Sequence, residues 1–339
     1  MTSLITNTSA ISAIARLRLL DDSLNDSQIR TSSGYRISTS SDNAAYWSIA
    51  TTMRTDNRSL SAVEDALGLG AAMVDSASSG MDAAIEVMDD IKARLVAARE
   101  PGVDRNKVNA EITELKAQLS TIADSSGFSG VNWLKHARNE QPWLKQPIEI
   151  VASVSRNSNN FAVETLSYER SIPSDSTRQV ISALVDDSTD THGEYGILTT
   201  DAYASDLGYA NGYVMLKGSG TTSVPNGAPT LPQVEIAISS ATSDQEIEEM
   251  ISVTDAMLLD MTKTSTLLGT AGARIGRQES FVADLRDTID RGVGRLVDAD
   301  MNQESARLKA LTTQQSLGVQ SLSIANQQPA NIMSLYGNN

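Results

Sequence analysis

The sequence predicts a mainly α protein: a long coiled-coil-like helical rod formed by paired N- and C-terminal segments, with a β-hairpin and a small β-rich inserted outer domain. Three observations carry this prediction. Apolar residues recur in alternating steps of three and four from Tyr46 to Ala98 and again from Ile247 to Leu296, the 3.5-residue period of a coiled-coil seam. Between Ile148 and Thr165 the period changes to two, as in a half-buried strand pair. Beyond Ile172 the composition shifts to Ser, Thr, Asp, Gly and Tyr, punctuated by Pro173, Pro225, Pro229 and Pro232, before helical spacing returns at Ser243.

The first element is an amphipathic helix from Leu4 to Ile29. Ala10, Ala13, Ile14, Leu17, Leu20 and Leu24 fall on one face, with Asp21, Asp22, Asn25 and Asp26 on the other. A Ser-, Thr- and Gly-rich break covers Thr31 to Ser41, with Gly34 as the expected helix stop. Ser41 or Asp42 can cap the next helix. That helix carries the seam Tyr46, Ile49, Met53, Leu60, Val63, Leu67, Val74, Ala77, Met81, Ala84, Met88, Ile91 and Leu95, broken only at Asp56. At about 1.5 Å per residue it would extend roughly 85 Å, so the chain is expected to build a rod.

Glu100-Pro101-Gly102 ends this helix. A shorter antiparallel partner follows, with Val108, Ile112, Leu115, Leu119 and Ile122 on its inner face. Gly127 to Gly130 turns the chain, and Val131-Asn132-Trp133-Leu134 supplies a bulky plug; Trp133 and Trp143 read as packing residues. Ile148, Ile150, Ala152 and Val154, then Phe161, Val163 and Thr165, form the hairpin across Asn157-Ser158-Asn159-Asn160. Short strands at Tyr213–Leu216 and Val234–Ile238 suggest a β-rich insert, with flexible linker as the alternative for part of it.

Ser243 and Glu246 form a capping box ahead of the second long seam. From Arg295 to Tyr336 the chain reads as one further long helix, with a seam through Val297, Met301, Glu304, Leu308, Leu311, Gln315, Gly318, Leu322, Ala325, Pro329, Ile332 and Tyr336. Its other faces are Gln, Asn, Ser, Thr and Arg. Such a sparse seam cannot offset the entropy of ordering so long a backbone without a partner. The N-terminal helix, whose own seam is equally uncovered, is the first partner available.

Composition narrows the function. The chain has 339 residues, no cysteine, two histidines and a net charge of −15. Disulfides, thiolate metal sites and cysteine nucleophiles are excluded, and His136 and His192 lie too far apart in sequence to suggest a zinc or histidine-based catalytic centre. Acidity without a basic patch argues against nucleic acid as the main partner. No apolar run reaches the roughly 20 residues that span a bilayer, so no membrane partner is expected. Met1-Thr2-Ser3-Leu4 lacks a basic region followed by an apolar core, so no cleaved secretory signal peptide is expected. Nothing calls for a cofactor or a metal, and the serines of the insert have no general base aimed at them. The chain is expected not to be an enzyme.

Three stretches resemble a known family. Ser32-Ser33-Gly34-Tyr35-Arg36-Ile37 followed by Asp42-Asn43-Ala44-Ala45 is similar to the N-terminal signature of bacterial flagellins, the subunits of the flagellar filament. Arg295-Leu296 with Asp298-Ala299-Asp300 and Glu304 resembles the flagellin C-terminal junction, and Ala325-Asn326-Gln327 with Pro329, Asn331, Ser334 and Leu335 resembles its terminus. The likeness covers about residues 1–170 and 243–336 and is strongest to flagellins of soil α-proteobacteria.

The resemblance implies a division of the chain. Residues 1–40 and 298–339 would form inner-core terminal helices, 41–170 and 243–297 a helical rod domain with the hairpin, and 171–242 a variable outer insert. It implies that Ile14, Leu17, Leu20, Leu24, Leu308, Leu311, Leu322, Ile332 and Leu335 pack the inner core on polymerisation, and that Gly34, Arg36, Asp42, Arg295, Asp298 and Asp300 form the domain junction. It also implies a helical homopolymer in the extracellular flagellar filament, sister flagellins as copolymer partners, and export by the flagellar secretion apparatus. An export chaperone, the filament cap and hook-associated proteins are partners implied in the same way. A hook–filament junction protein shares the paired-terminal-helix plan and is the alternative within structural proteins; a secreted helical effector is the alternative outside them.

Two departures from the family bear on innate-immune receptors. Where flagellins sensed by the animal receptor have an Arg-rich turn, this chain has Glu86, Val87, Met88, Asp89 and Asp90. The segment matching the plant-sensed peptide, Ile29 to Ala50, has Thr31, Ser41 and Tyr46 at its Leu, Lys and Gly positions. Weak recognition is expected.

Overall fold

The computed structural model describes residues 7–136, 148–157, 160–168, 183–186, 196–217 and 233–336, with side chains for the same residues except 136, 157, 160, 161, 186 and 328–336. Leu4, Trp143, Ser158, Asn159, His192 and the four insert prolines lie outside the described residues. The described chain is mainly helical, with four small two-stranded sheets. It divides into two compact units: Met1–Ser59 with Asp284–Asn339, and Leu60–Ala283.

In the first unit, helix α1 (Thr8–Ser33) begins where Asn7 Oδ1 accepts the Ala10 N–H at 3.0 Å. It ends at the expected stop, Gly34, whose φ of 74° only glycine adopts freely, so the helix runs one turn past Ile29. Helix α2 (Ala44–Ala97) is capped by Asn43, whose Oδ1 accepts the N–H groups of Ala45 and Tyr46 at 3.1 Å each. Neither expected cap fills that position, because the Asp42 carboxylate is turned back onto Ser38 and Thr39. The start of the α2 seam is also shifted. Tyr46 and Ile49 are exposed, and Ala50 is the buried residue, packed in a small core with Ile37, Val293 and Val297.

In the second unit the seam runs as expected from Leu60 to Ala98, buried at nearly every step. Helix α5 (Asp244–Val297) begins in the capping box: Ser243 N–H donates to Glu246 Oε2 at 2.7 Å and Glu246 N–H returns to Ser243 Oγ at 3.2 Å. Its Ile247, Met257, Met261, Leu268, Ile275 and Val282 are buried. Ser265 bonds Asp82, Lys92 pairs with Asp255, and Arg99 pairs with Glu248, so α2 and α5 run antiparallel here. Within the first unit Asn57 meets Asp290 in the same sense.

Helix α3 (Arg105–Ser125), capped by Asp104, buries Ile112, Lys116, Leu119 and Ala123. The face is rotated slightly from the expected one, which leaves Leu115 and Ile122 half-buried and brings Lys116 inward. Strands β1 (Gly127–Phe128) and β2 (Val131–Asn132) make the short turn that delivers Trp133 and Leu134 to the core, and β3 (Lys135–His136) continues from them. The hairpin is β4 (Ile148–Asn157) with β5 (Asn160–Tyr168), antiparallel, with a bulge between Val151 and Ser153. Its inward residues on β5 are Leu166 and Tyr168, while the expected Val163 and Thr165 are exposed. Tyr168 stacks on Trp133 with ring centroids 5.1 Å apart, which fixes the open end of the hairpin.

The described part of the insert forms β6 (Val185–Asp186), α4 (Ala202–Asp206), β7 (Gly212–Val214) and β8 (Gln233–Glu235). It is anchored on the helices of its own unit. Tyr203 OH donates to the buried Asp260 at 3.1 Å, Tyr213 OH meets Glu249 at 3.2 Å, and Ile238 N–H donates to Asn109 Oδ1 at 2.9 Å. The Lys116 ammonium donates to Ile236 O at 3.0 Å and pairs with Glu235. Burial holds its pKa below the ordinary lysine value, against the opposing pull of Glu235. Near these contacts α5 buries Met250, Val253, Leu258 and Asp260 as well as its seam.

The stretch expected as one helix from Arg295 to Tyr336 is interrupted. α5 stops at Val297 and a separate helix, α6 (Met301–Tyr336), follows. Asp300 Oδ1 accepts the N–H groups of Asn302 and Gln303, which starts α6 afresh.

Candidate assembly interface

Two sites in the first unit use the residues that the sequence singled out. One is the junction where the break after α1 meets the break before α6. Arg36 and Ile37 donate their N–H groups to Val297 O at 2.7 and 3.2 Å, and Ala299 N–H donates to Gly34 O at 2.9 Å. Tyr35 and Asp298 pair as an isolated antiparallel bridge. Arg36 Nη2 adds a bond to Leu296 O at 2.9 Å, and the Arg54 guanidinium lies 4.7 Å over the Tyr35 ring. Gly34, Arg36 and Asp298 are thus brought together.

Asp42 and Asp300 act beside the junction rather than in it. Asp42 takes the N–H groups of Ser38 and Thr39 at 2.9 Å each, and these backbone bonds, Thr39 first, hold its carboxyl below the ordinary value. Asp300 caps α6. Arg295 is exposed in the last turn of α5, where a cation suits the carbonyl end of a helix.

The second site is the antiparallel pair of α1 and α6. As numbers fall along α1 they rise along α6: Ser27 bonds Glu304, Asp21 bonds Gln315 and Asn7 bonds Ala325 O. The least exposed residues of α6 with described side chains are Glu304, Leu308, Leu311, Gln315, Gly318, Leu322 and Ala325, the seam read from the sequence, with Met301 left outside it. On α1 they include Ala10, Ala13, Leu17, Leu20, Leu24 and Ser27. Ile14 lies off the contact and is 40% exposed. The side chains of Ile332 and Leu335 lie outside the described ones. Gly318 lets Leu17 approach closely, since an added Cβ would stand 2.8 Å from Leu17 Cδ2.

Around this contact the pair is left open. Ile11, Ile14, Leu19 and Ile29 on α1, and Leu317, Val319 and Ile324 on α6, are exposed. A groove of about 410 Å³ runs between the helices, lined by Ser9, Ala13, Leu17, Leu20, Leu317, Gly318 and Ala325 among others. Burying what remains exposed of each aliphatic side chain would contribute on the order of 1 kcal/mol. What the sequence reading missed is the polar centre of the pair: Ser27 Oγ donates to Glu304 Oε2 at 2.9 Å and Arg30 Nη1 lies 3.8 Å from Glu304 Oε1. The available signal was a charged residue standing at a seam position.

Terminal helices that pair with each other yet keep an apolar exterior define a structural protein of the self-assembling, helical kind. The bacterial flagellin N-terminal helical region matches residues 4–139, and the bacterial flagellin C-terminal helical region matches residues 251–336. The chain belongs to the bacterial flagellin family. It is 47% identical to Flagellin C of Rhizobium meliloti (strain 1021) over 342 residues, with 99% of each chain covered. It is 41% identical to Flagellin A of Rhizobium meliloti over 397 residues, covering 99% of this chain and all of that one, and 35% identical to a Brucella melitensis flagellin over 337 residues, with 99% of each covered. The protein is therefore a subunit of the flagellar filament, an extracellular structure of motility, and it polymerises with its own kind. This resolves the alternative of a hook–filament junction protein in favour of flagellin.

Proposed function

We propose that the α1 and α6 pair is the element through which this flagellin assembles, with residues 1–40 and 298–339 as the inner core of the filament. Residues 41–170 and 243–297 then form the rod domain, and 171–242 the outer insert. The observation that carries this reading is the apolar exterior of the pair: its seam is half covered by its own chain, and the remaining aliphatic side chains face outward. Leu17, Leu20, Leu24, Leu308, Leu311 and Leu322 hold the intrachain contact. Ile14, exposed beside that contact, offers its side chain to a neighbouring subunit, and Ile332 and Leu335 belong to the same inner core. Gly34, Arg36, Asp42, Arg295, Asp298 and Asp300 form the junction with the rod domain.

The test is removal of residues 322–339. Helical circular dichroism of the remaining chain should persist while polymerisation is abolished; normal filaments from the shortened chain would overturn the assignment.

The same reading makes the chain purely structural, without catalysis, and exported through the flagellar secretion apparatus. Its partners are sister flagellins, an export chaperone, the filament cap and hook-associated proteins. It is also a weak ligand of flagellin receptors. At the receptor-facing turn Glu86, Asp89 and Asp90 are exposed, while Val87 and Met88 are buried in the seam. The next cations along the helix are engaged, Lys92 with Asp255 and Arg94 with Glu111 at 3.1 Å. Reporter cells carrying the animal receptor should respond weakly to the purified protein, and a full response would sink this part of the proposal.

A further inference from the structure

We propose that Glu304, with Ser27 and Arg30, specifies the register of the terminal helix pair. Of the charged side chains in the described seam, Glu304 is the one whose burial suits only a single alignment of α1 against α6. The inference goes beyond whether the pair assembles and concerns which alignment it takes.

Glu304 is 8% exposed and Ser27 2%. The carboxylate is satisfied from both sides, by the Ser27 hydroxyl at 2.9 Å and the Arg30 guanidinium at 3.8 Å. Two other polar contacts across the pair, Gln315 to Asp21 and Asn7 to Ala325 O, are exposed or part-buried, so water can replace them in a slipped pairing. Leu308, Leu311, Gly318, Leu322 and Ala325 are themselves small or aliphatic, and apolar contact is non-directional, so a slipped pairing would keep much of it.

A slip of one turn in one direction sets Glu304 against Ser23 and Asp26, keeping a hydroxyl but facing carboxylate with carboxylate. One turn the other way it faces Thr31 and Gly34, with no cation. A slip of one heptad offers Leu20 and Ser23, or Gly34 and Ile37. Only the observed alignment supplies a hydroxyl and a cation together. An unpaired buried carboxylate is strongly disfavoured, and single buried polar residues are known to select register and partner in helical pairs.

The absence of cysteine from the chain makes the test clean. Leu17→Cys with Gly318→Cys reports the observed alignment, and Leu24→Cys with Gly318→Cys, combined with Leu17→Ala to remove the side chain that would crowd a Cβ at 318, reports a slip of one heptad. Each pair is placed in full-length chains, which are polymerised, oxidised and resolved without reductant. With Glu304 present, the first pair should form an intrachain disulfide and the second should not. In the Glu304→Leu background the slipped product should rise about tenfold or more relative to the first, as expected for losing a buried charged hydrogen bond. An unchanged ratio overturns the proposal. Should the Glu304→Leu chain not polymerise, the exchanged pair Arg30→Glu with Glu304→Arg decides. It should recover both filaments and the original ratio, and failure to recover either overturns the proposal. The assembly reading stands or falls separately, on the chain lacking residues 322–339.

Discussion

Thr264 shows how much a single buried atom can reveal. It sits in the α5 seam with no exposed surface, and its Oγ1 has no hydrogen-bond partner among the described residues. Thr254, ten residues earlier and equally buried, donates to Met250 O at 2.8 Å. Thr264→Val should therefore raise stability by about 1 kcal/mol, because a buried hydroxyl without a partner forfeits its hydration for nothing. Thr254→Val should give no such gain. Denaturant midpoints of the two variants compare them directly, and a destabilised Thr264→Val would mean that the hydroxyl is bonded after all. From sequence the two threonines are indistinguishable seam positions. The same holds for Lys116, a surface residue by type, whose ammonium is drawn inward by the carbonyl of Ile236.

At the level of elements, the long helices were the most legible part, because a 3.5-residue period repeated over many turns leaves only one face to bury. Helix ends were less so. Asn43 caps α2 in place of its neighbour Asp42, and the break at Asp298–Asp300 is set by contacts to Tyr35 and Gly34 from the far end of the chain. Two glycines of α2 separate local preference from tertiary fit. A Cβ on Gly80 would lie 2.7 Å from Ser126 Cβ and 2.8 Å from Leu134 Cδ1, whereas Gly68 has nothing within 4 Å. Gly68→Ala should stabilise by up to about 1 kcal/mol through helix propensity. Gly80→Ala should lose more than that gain, a net cost of about 1–2 kcal/mol from overpacking. Thermal unfolding of the two variants measures the contrast, and equal shifts of the same sign would contradict it.

For the molecule as a whole, charge and apolar surface work against each other. Each subunit carries a net charge of −15, yet polymerisation must bring like-charged copies together. Raising salt from about 0.01 to 0.1 M shortens the screening length from roughly 30 to 10 Å. Polymerisation of purified subunits should accelerate over this range, as followed by light scattering, and a rate indifferent to salt would show that the repelling charges lie away from the contacts. The insert is where reading at this scale was weakest. Its composition suggested β structure or linker, whereas Tyr203 and Tyr213 reach α5 to bond Asp260 and Glu249, partners that lie 36 or more residues away in sequence.

The sequence by itself determined the mainly helical plan, the terminal helix pair and its seam, the capping box at Ser243 and the family, since each is written in local periodicity or short motifs. Only the tertiary structure decided where α5 and α6 part, which residues face inward on β5 and α3, how the insert is held, and that Glu304 is buried between Ser27 and Arg30. Those features depend on groups from distant segments meeting in space. A polar side chain's burial is set by the partner it finds there, which no local pattern records.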